Sequence, residues 1–571
     1  MPQERGSVNQ TGTHLPKILW LFRCLAAGLG LAQIVACRNT IGPDARSYLE
    51  LARAILRHDW AMTINAYWSA LYPWLLATVL GIIKPKLRWE FPVAHALAFP
   101  VLLACIAAFE FFWKSLLRAT TISASSLPSV QLWTLGYSLF IWMTVGDLIT
   151  AINPDLCMTT MILLTAGLLV RIVSSAEGGL SVYAWFGVCL GVGFLVKAIL
   201  FPMGFVFLAA AFLALRRHSR REMSRLLLAA VIFFTIAAPE VALLSHAKGR
   251  LTFSDTGKLA YAWYTYNLPL RDWQGGPPGS GVPLHPTRKI YDRPSVFEFN
   301  GPLRSSYPPW FDPSYWNDGL SPKFNLQIVA RHSFQEAMAA CRSLIEPTAW
   351  AVGMLLLLVC SDVRKTFAQL RACWYLIAIA LTAFPLYSLT LVQSRYLAPW
   401  VLLLWGAVLA AIVLRNGTTR FTGGITILIA VALTGAMAKL VYGESVHGFH
   451  NDARAEYEIA EGLQKMGLQP GEKVGAIGFD NDAYWAYLSR INIVAEINAR
   501  DACSFWSEPP ARQAEILQKF AQAGASAVIA NTGYGIRSTS APIPVPLSVC
   551  SHPGPEWQAI DRTLDHIYFL K

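Results

Sequence analysis

The sequence predicts a polytopic α-helical membrane protein of about eleven spans, with interfacial or re-entrant helices and a small soluble α/β domain at its C-terminal end. Three observations predict it. Of 571 residues, 54% are hydrophobic and only 14% are charged, against roughly 25% charged in soluble domains. Apolar runs of roughly 17–20 residues, the length that spans a hydrocarbon core, recur along most of the chain. They are continuously apolar rather than alternating, which favours helices over a barrel. From about residue 443 the pattern changes to short helical and strand segments in alternation.

In order, the spans read 18–37, 91–112, 129–147, 156–173, 181–196, 199–215, 227–245, 347–360, 373–392, 396–414 and 423–441. The first reads as a retained anchor, with no cleavable signal evident. A further apolar stretch, SALYPWLLATVLGII (69–83), is short and contains Pro73. The most basic loop, RRHSRREMSR (216–225), is placed in the cytoplasm by the positive-inside trend. Alternation then puts 361–371, 415–420 and 114–128 on the same side. For the loop after the first span to share the opposite side with TAINPD (150–155), the 69–83 stretch must not cross. This leaves KPKLRW (84–89) outside, against the trend. The external face then collects loops 38–90, 148–156 and 246–345, the turn at Lys197, the segment before Arg395 and the C-terminal domain. Polar groups gathered on one face suggest a site at the membrane surface. A transport path would place charges at mid-depth.

The formal charge of +12 sits in short loops between apolar runs and serves membrane orientation. No basic patch with interleaved aromatics lies outside the membrane, so nucleic acid is not an expected partner. The ten cysteines show no CxxC and no metal-like spacing. Cys503 and Cys550 share the soluble part and can pair in an oxidising compartment, with two free thiols as the alternative.

The stretch IGPDARSYLELARAILRHDW (41–60) reads as an amphipathic helix from Asp44. Arg46, Glu50, Arg53 and Arg57 form a polar face, and Tyr48, Leu51, Ala52, Ile55 and Leu56 an apolar one. Such a helix lies in the membrane interface. Asp44 is its first residue or its cap, a role Asp commonly fills. Alternatively it is a carboxylate held where it can take a proton from an incoming hydroxyl.

This stretch, followed by W-x-x-LYPWLLA (68–77), NPD (153–155), GVGFLVKAILFPMGFVFL (191–208) and SRYLAPWVLLLWGAVLA (394–410), resembles the GT-C membrane glycosyltransferases. The likeness is to the branch using polyprenyl-phosphate sugars, such as aminoarabinose transferases and protein O-mannosyltransferases. It covers roughly residues 18–440. Two departures stand out: Ala45 follows Asp44 where many relatives carry a second acidic residue, and Ala70-Leu71-Tyr72-Pro73 stands where many carry His-Pro-Pro.

The resemblance implies a catalytic domain over 1–442 that moves a sugar from a polyprenyl-phosphate donor to an acceptor hydroxyl, usually with inversion. It implies Asp44 as the base. The lipid-phosphate leaving group needs cationic stabilisation, for which Lys197 and Arg395 are candidates. Snorkelling to the interface is the plainer role of both. Asp155 and Tyr396 would orient substrate. Asp155 also has the plainer role of an N-cap, and Asp147 is a weaker candidate on the same face. Asp44 and Asp155 are candidates for a divalent cation, with no His partner to strengthen the set. The acceptor is a lipid, a glycan or a protein.

The long loop 246–345 is dense in aromatics, Pro and Asp, notably FSDTGKLAYAWYTYN (253–267) and SSYPPWFDPSYWNDG (305–319). Tyr264, Tyr307, Trp310 and Trp316 are its candidates for contact with sugar faces and lipid headgroups. The alternative is an aromatic belt with rigid turns. In 443–571, KVGAIGF (473–479), NIVAEI (492–497) and ASAVIAN (525–531) read as strands between helices, a pattern of parallel α/β sheets. AIGFDND lacks a phosphate-binding glycine pattern. Sequons at Asn9 and Asn416 fall on the cytoplasmic side, so a bacterial inner membrane is the expected home. The competing readings are a transporter or flippase of lipid-linked sugar, for which no internal repeat is found, a membrane scaffold, and a polymerase or ligase using a diphosphate-linked glycan.

Overall fold

The computed structural model describes residues 10–120, 126–174, 179–216, 219–268, 285, 287–299, 301, 303–312, 314, 319–447, 453–532, 553–560 and 563–570. Trp316 and Cys550 lie outside the described residues. Helices occupy every stretch where the sequence predicts a span. Six of the described helices are long and apolar enough to cross a membrane: Leu15–Ala36, Leu87–Ala119, Asp155–Val173, Arg220–Lys248, Ser394–Ala411 and Thr419–Val446. Two bent pairs raise the number to eight if each is one span. They are Leu326–Ile345 with Thr348–Val359, bent by 72°, and Val363–Ala372 with Trp374–Ser388, bent by 77°. The expected count of about eleven is therefore not confirmed. The difference is partly one of length. Leu180–Val196 and Leu200–Leu215 have 17 and 16 residues, roughly 25 Å each, short of a hydrocarbon core of about 30 Å.

The stretch expected not to cross is the helix Leu71–Ile83. Its 13 residues reach only about 20 Å. It lies beside the helix Pro43–Leu56, with Tyr72 edge-on to Tyr48 at 5.2 Å and Gly81 close under Leu56. Of the three cations in the segment 84–89, Arg88 has a partner in the C-terminal part. Arg88 donates from Nε and Nη2 to the two carboxylate oxygens of Glu461, at 2.6 and 2.7 Å.

Close helix packing fixes the hairpin that carries Lys197. Helix Leu180–Val196 meets Arg220–Lys248 through glycines, the close-approach residues of membrane helix pairs. A Cβ at Gly187 would collide with the carbonyl oxygen of Ala229, and one at Gly191 would stand 2.6 Å from Cβ of Ile236. At the end of this helix Lys197 turns extended, with φ −154° and ψ 128°, and the chain turns into Leu200–Leu215.

One seven-stranded sheet joins part of the long loop to the C-terminal part. Its strands are β1 (Arg288–Asp292), β2 (Ser295–Glu298), β3 (Lys473–Ile477), β4 (Asn492–Ile497), β5 (Ala527–Asn531), β6 (Gln558–Ala559) and β7 (Asp565–Phe569), in the order β1-β2-β4-β3-β5-β7-β6. The three strands read from the sequence form its parallel centre, β4-β3-β5, with Val474 opposite both Ile493 and Ala527. The flanking pairs are antiparallel. The β1–β2 hairpin comes from the long loop, more than 170 residues upstream of β3. Val296 pairs with Ile497, and the loop continues along β4, with the N–H of Ile493 donating to the carbonyl of Ser306 at 2.9 Å. One sheet face, with Val296, Val494, Phe505 and Phe520, has its own core. The other, with Val474, Ala476, Ile493 and Ile529, joins the core that continues into the helical part.

Candidate active site

Asp44 stands in the first turn of Pro43–Leu56. Gly42 is the N-cap residue, with no side-chain cap bond, so the Asp44 carboxylate is not used in capping. Asp155 opens the helix Asp155–Val173 after Pro154. There the N-cap residue is Pro154, and Oδ1 of Asn153 before it accepts the backbone N–H of Asp155 at 2.9 Å. Both carboxylates sit at helix N-termini, where the helix dipole favours negative charge, and both face cations. Lys197 donates from Nζ to Oδ1 of Asp155. The Nε of Arg395 is 3.5 Å from the other oxygen of Asp155, and its Nη2 is 3.7 Å from Oδ2 of Asp44. Arg395 thus bridges two carboxylates that are 111 residues apart in sequence.

The aromatic floor of this cluster is Tyr396. Lys197 Nζ lies 4.0 Å from its ring centroid and the guanidinium of Arg395 5.0 Å. Its hydroxyl accepts from Arg395 Nη2 at 3.2 Å, and its ring stacks on Tyr387 at 5.5 Å. On the other side of Asp44, Trp310 donates from Nε1 to Oδ1 at 3.3 Å and stacks on Trp263 at 6.2 Å. Tyr264 senses the same charges: burial and then the Asp44 carboxylate push its phenol up, while Arg395 pulls it down.

Four formal charges, two of each sign, therefore balance. They differ in access. The Asp155 side chain is 2% exposed and those of Lys197 and Arg395 20% and 21%, while Asp44 is 39% exposed. Asp155 is enclosed and holds the two cations in place, and Asp44 is the carboxylate an incoming group can reach. Asp155→Asn leaves two half-buried cations beside each other without their shared counter-charge. Breaking a buried pair costs about 3–5 kcal/mol, and a fall in thermal midpoint of the detergent-solubilised protein measures it. Trp310→Phe keeps the stack on Trp263 and removes only the N–H. A hydrogen bond contributing about 1 kcal/mol predicts a fall of roughly fivefold in kcat/KM.

The cluster does not suit a divalent cation on Asp44 and Asp155. Arg395 lies between them, both Asp155 oxygens face cations, and no group of three His, Cys, Asp or Glu fit to hold a metal occurs among the described residues.

The structure thus brings together Asp44, Asp155, Lys197, Arg395, Tyr396, Tyr264 and Trp310. Tyr307 is not with them. It is fully buried, donates to Oε1 of Glu496 at 2.8 Å and lies under the guanidinium of Arg46 at 4.7 Å, so it presents no face to a substrate. Asp147 accepts the hydroxyl of Ser394 and so supports the start of the Arg395 helix. Residues not singled out in the sequence also belong here. Gln393 takes the Nε–H of Arg395 at 2.7 Å, and Trp263 and Tyr387 back Trp310 and Tyr396. Gln393 is the extended N-cap residue of the Ser394–Ala411 helix, so helical spacing carried no sign of it.

The interfacial reading of Pro43–Leu56 needs correction. At Arg46, Glu50 and Arg53 its polar face meets protein rather than water, and of the four polar residues Arg57 alone is exposed. Arg46 is 1% and Glu50 5% exposed. Arg46 donates to the carbonyl of Asn481 at 3.0 Å, and burial pushes its guanidinium below the usual arginine range. Glu50 accepts the N–H of Ser306 at 2.9 Å. Arg53 holds both oxygens of Glu90 at 2.8 Å.

With this geometry in hand, the solved structure of ArnT from Cupriavidus metallidurans bound to undecaprenyl phosphate superposes on 96% of this chain and 97% of its own, at TM-score 0.52 and 11% identity. The chain has a GT-C-like fold. The same ArnT in the apo state covers 90% of this chain and 93% of its own at TM-score 0.49 and 12% identity. The Archaeoglobus fulgidus oligosaccharyltransferase in complex with Zn and sulfate covers 89% and 68% at 0.48 and 12%. No protein-family model matches the sequence, and no curated protein matches it.

Proposed function

We propose that this GT-C-like membrane protein transfers a sugar from a polyprenyl-phosphate donor to an acceptor hydroxyl at the external membrane face, with inversion at the anomeric carbon. The observation that carries the reading is the bridge of Arg395 between an accessible Asp44 and an enclosed Asp155, with Lys197 on the same carboxylate. Asp44 takes the acceptor proton as the new C–O bond forms. The bond from the anomeric carbon to phosphate oxygen breaks, and the charge left on the lipid phosphate falls to Lys197 and Arg395. Proton removal of this kind contributes about 10²–10⁴-fold. No step is routed through a metal.

The lipid carrier of the donor is suggested by the undecaprenyl phosphate bound to ArnT. The external placement, periplasmic in a bacterial inner membrane, draws support from the basic loop 216–225, which the positive-inside trend puts in the cytoplasm. Trp310 and Tyr264 beside Asp44 suit the face of a sugar. The test is turnover of radiolabelled polyprenyl-phosphate sugars by the purified protein in lipid, with a crude membrane extract as the acceptor source. Transfer of label from at least one donor is the expected result. No transfer with any donor sinks the reading.

A further inference from the structure

Residues two apart on a helix point about 200° away from each other. Asp44 and Arg46 therefore stand on opposite sides of one helical turn. Asp44 faces Arg395 and Trp310, and Arg46 faces the C-terminal domain. There its guanidinium lies over the ring of Tyr484 at 5.6 Å, and over the ring of Tyr307 from the long loop at 4.7 Å. Two turns on, Arg53 repeats the arrangement. Its guanidinium covers the ring of Tyr487 at 3.4 Å and donates to that residue's carbonyl at 2.5 Å. Tyr487 in turn donates to Glu90 at 2.6 Å. Tyr484 and Tyr487 are three apart on one short helix, Tyr484–Ser489, so a single element of the domain receives both arginines.

Burying two guanidinium groups is costly unless each is matched by rings, carbonyls or a carboxylate. Arg53 has all three kinds of partner, and Arg46 has the two rings and the Asn481 carbonyl. The first turn of the Asp44 helix has no side-chain cap of its own, so this grip supplies what would otherwise hold it.

We infer that the C-terminal domain positions the base: the Arg46–Tyr484 and Arg53–Tyr487 contacts hold the helix that presents Asp44 to the acceptor, and Arg46 is a positioning residue. The inference rests on the functional reading above. It gives the domain a role in catalysis without its touching substrate. A lysine does not replace Arg46, because a point charge on a flexible stem cannot lie flat over two rings and also reach the Asn481 carbonyl.

The experiment uses the full chain in lipid with the donor that wild type turns over, comparing Arg46→Lys, Tyr484→Ala and Tyr484→Phe. Arg46→Lys and Tyr484→Ala are expected to lower kcat at least tenfold with donor KM within twofold. Tyr484→Phe, which keeps the ring under the guanidinium, is expected to retain kcat within twofold. Amide hydrogen exchange should quicken in residues 43–56 in the two damaging variants and stay unchanged in the spans. Wild-type kcat in both Arg46→Lys and Tyr484→Ala overturns the inference, as does a loss of activity matched by faster exchange throughout the protein. A wild type that turns over no donor overturns the functional reading itself, a distinct result.

Discussion

Asp44→Asn is expected to lower turnover by about 10²–10⁴-fold, the range for loss of a general base, while leaving the protein folded. The substitution preserves shape. Its side-chain oxygen still accepts from Trp310, and no cap bond is lost because Asp44 makes none. A fall in kcat with an unchanged thermal midpoint assigns the loss to proton transfer. Equal turnover in the two proteins would remove Asp44 from the chemistry.

Arg395→Gln is expected to cost about 10²–10³-fold in kcat, the scale for removing one preorganised charge stabiliser, and to raise the donor KM. Arg395→Lys should recover little. The guanidinium uses its shape: Nε is bound to Gln393 and directed at Asp155, while Nη2 reaches Tyr396 and Asp44. An ammonium group cannot hold those directions at once. Steady-state kinetics on the three proteins decides this, and a lysine variant with wild-type kcat would show that charge alone suffices.

The charged members of the cluster were legible because each interrupts or flanks an apolar run. A lysine between two membrane helices, or an arginine at a span's first turn, is costly enough to be noticed. Their pairing was not legible, since Asp155, Lys197 and Arg395 meet only through helix packing. The helix at 43–56 was read correctly as amphipathic and placed incorrectly. Periodicity separates an apolar face from a polar one but does not say whether the polar face meets water or another domain. Tyr307 and Trp310 illustrate the same limit. They are three residues apart in one aromatic stretch, yet one packs under Arg46 and the other reaches Asp44. Alternation in 473–531 revealed the parallel strands. The β1–β2 hairpin escaped notice because short strands in a Pro-rich loop acquire their partner from a distant part of the chain.

That hairpin bears on how the protein can be made and handled. A fragment starting at residue 443 would contain β3, β4 and β5 but not β1 and β2, and so would leave β4 as an open edge. The sequence of β4, Asn492–Ile497, is almost wholly buried in the intact protein, and a bare apolar edge invites pairing with other copies. During synthesis the roles reverse. The hairpin emerges first and must wait, on its side of the membrane, until the ribosome has delivered the strand that completes it. Truncations between the last span and β4 should therefore abandon an unpaired β-ribbon, and delivery of residues 492–497 is the moment at which the hairpin can first join the sheet.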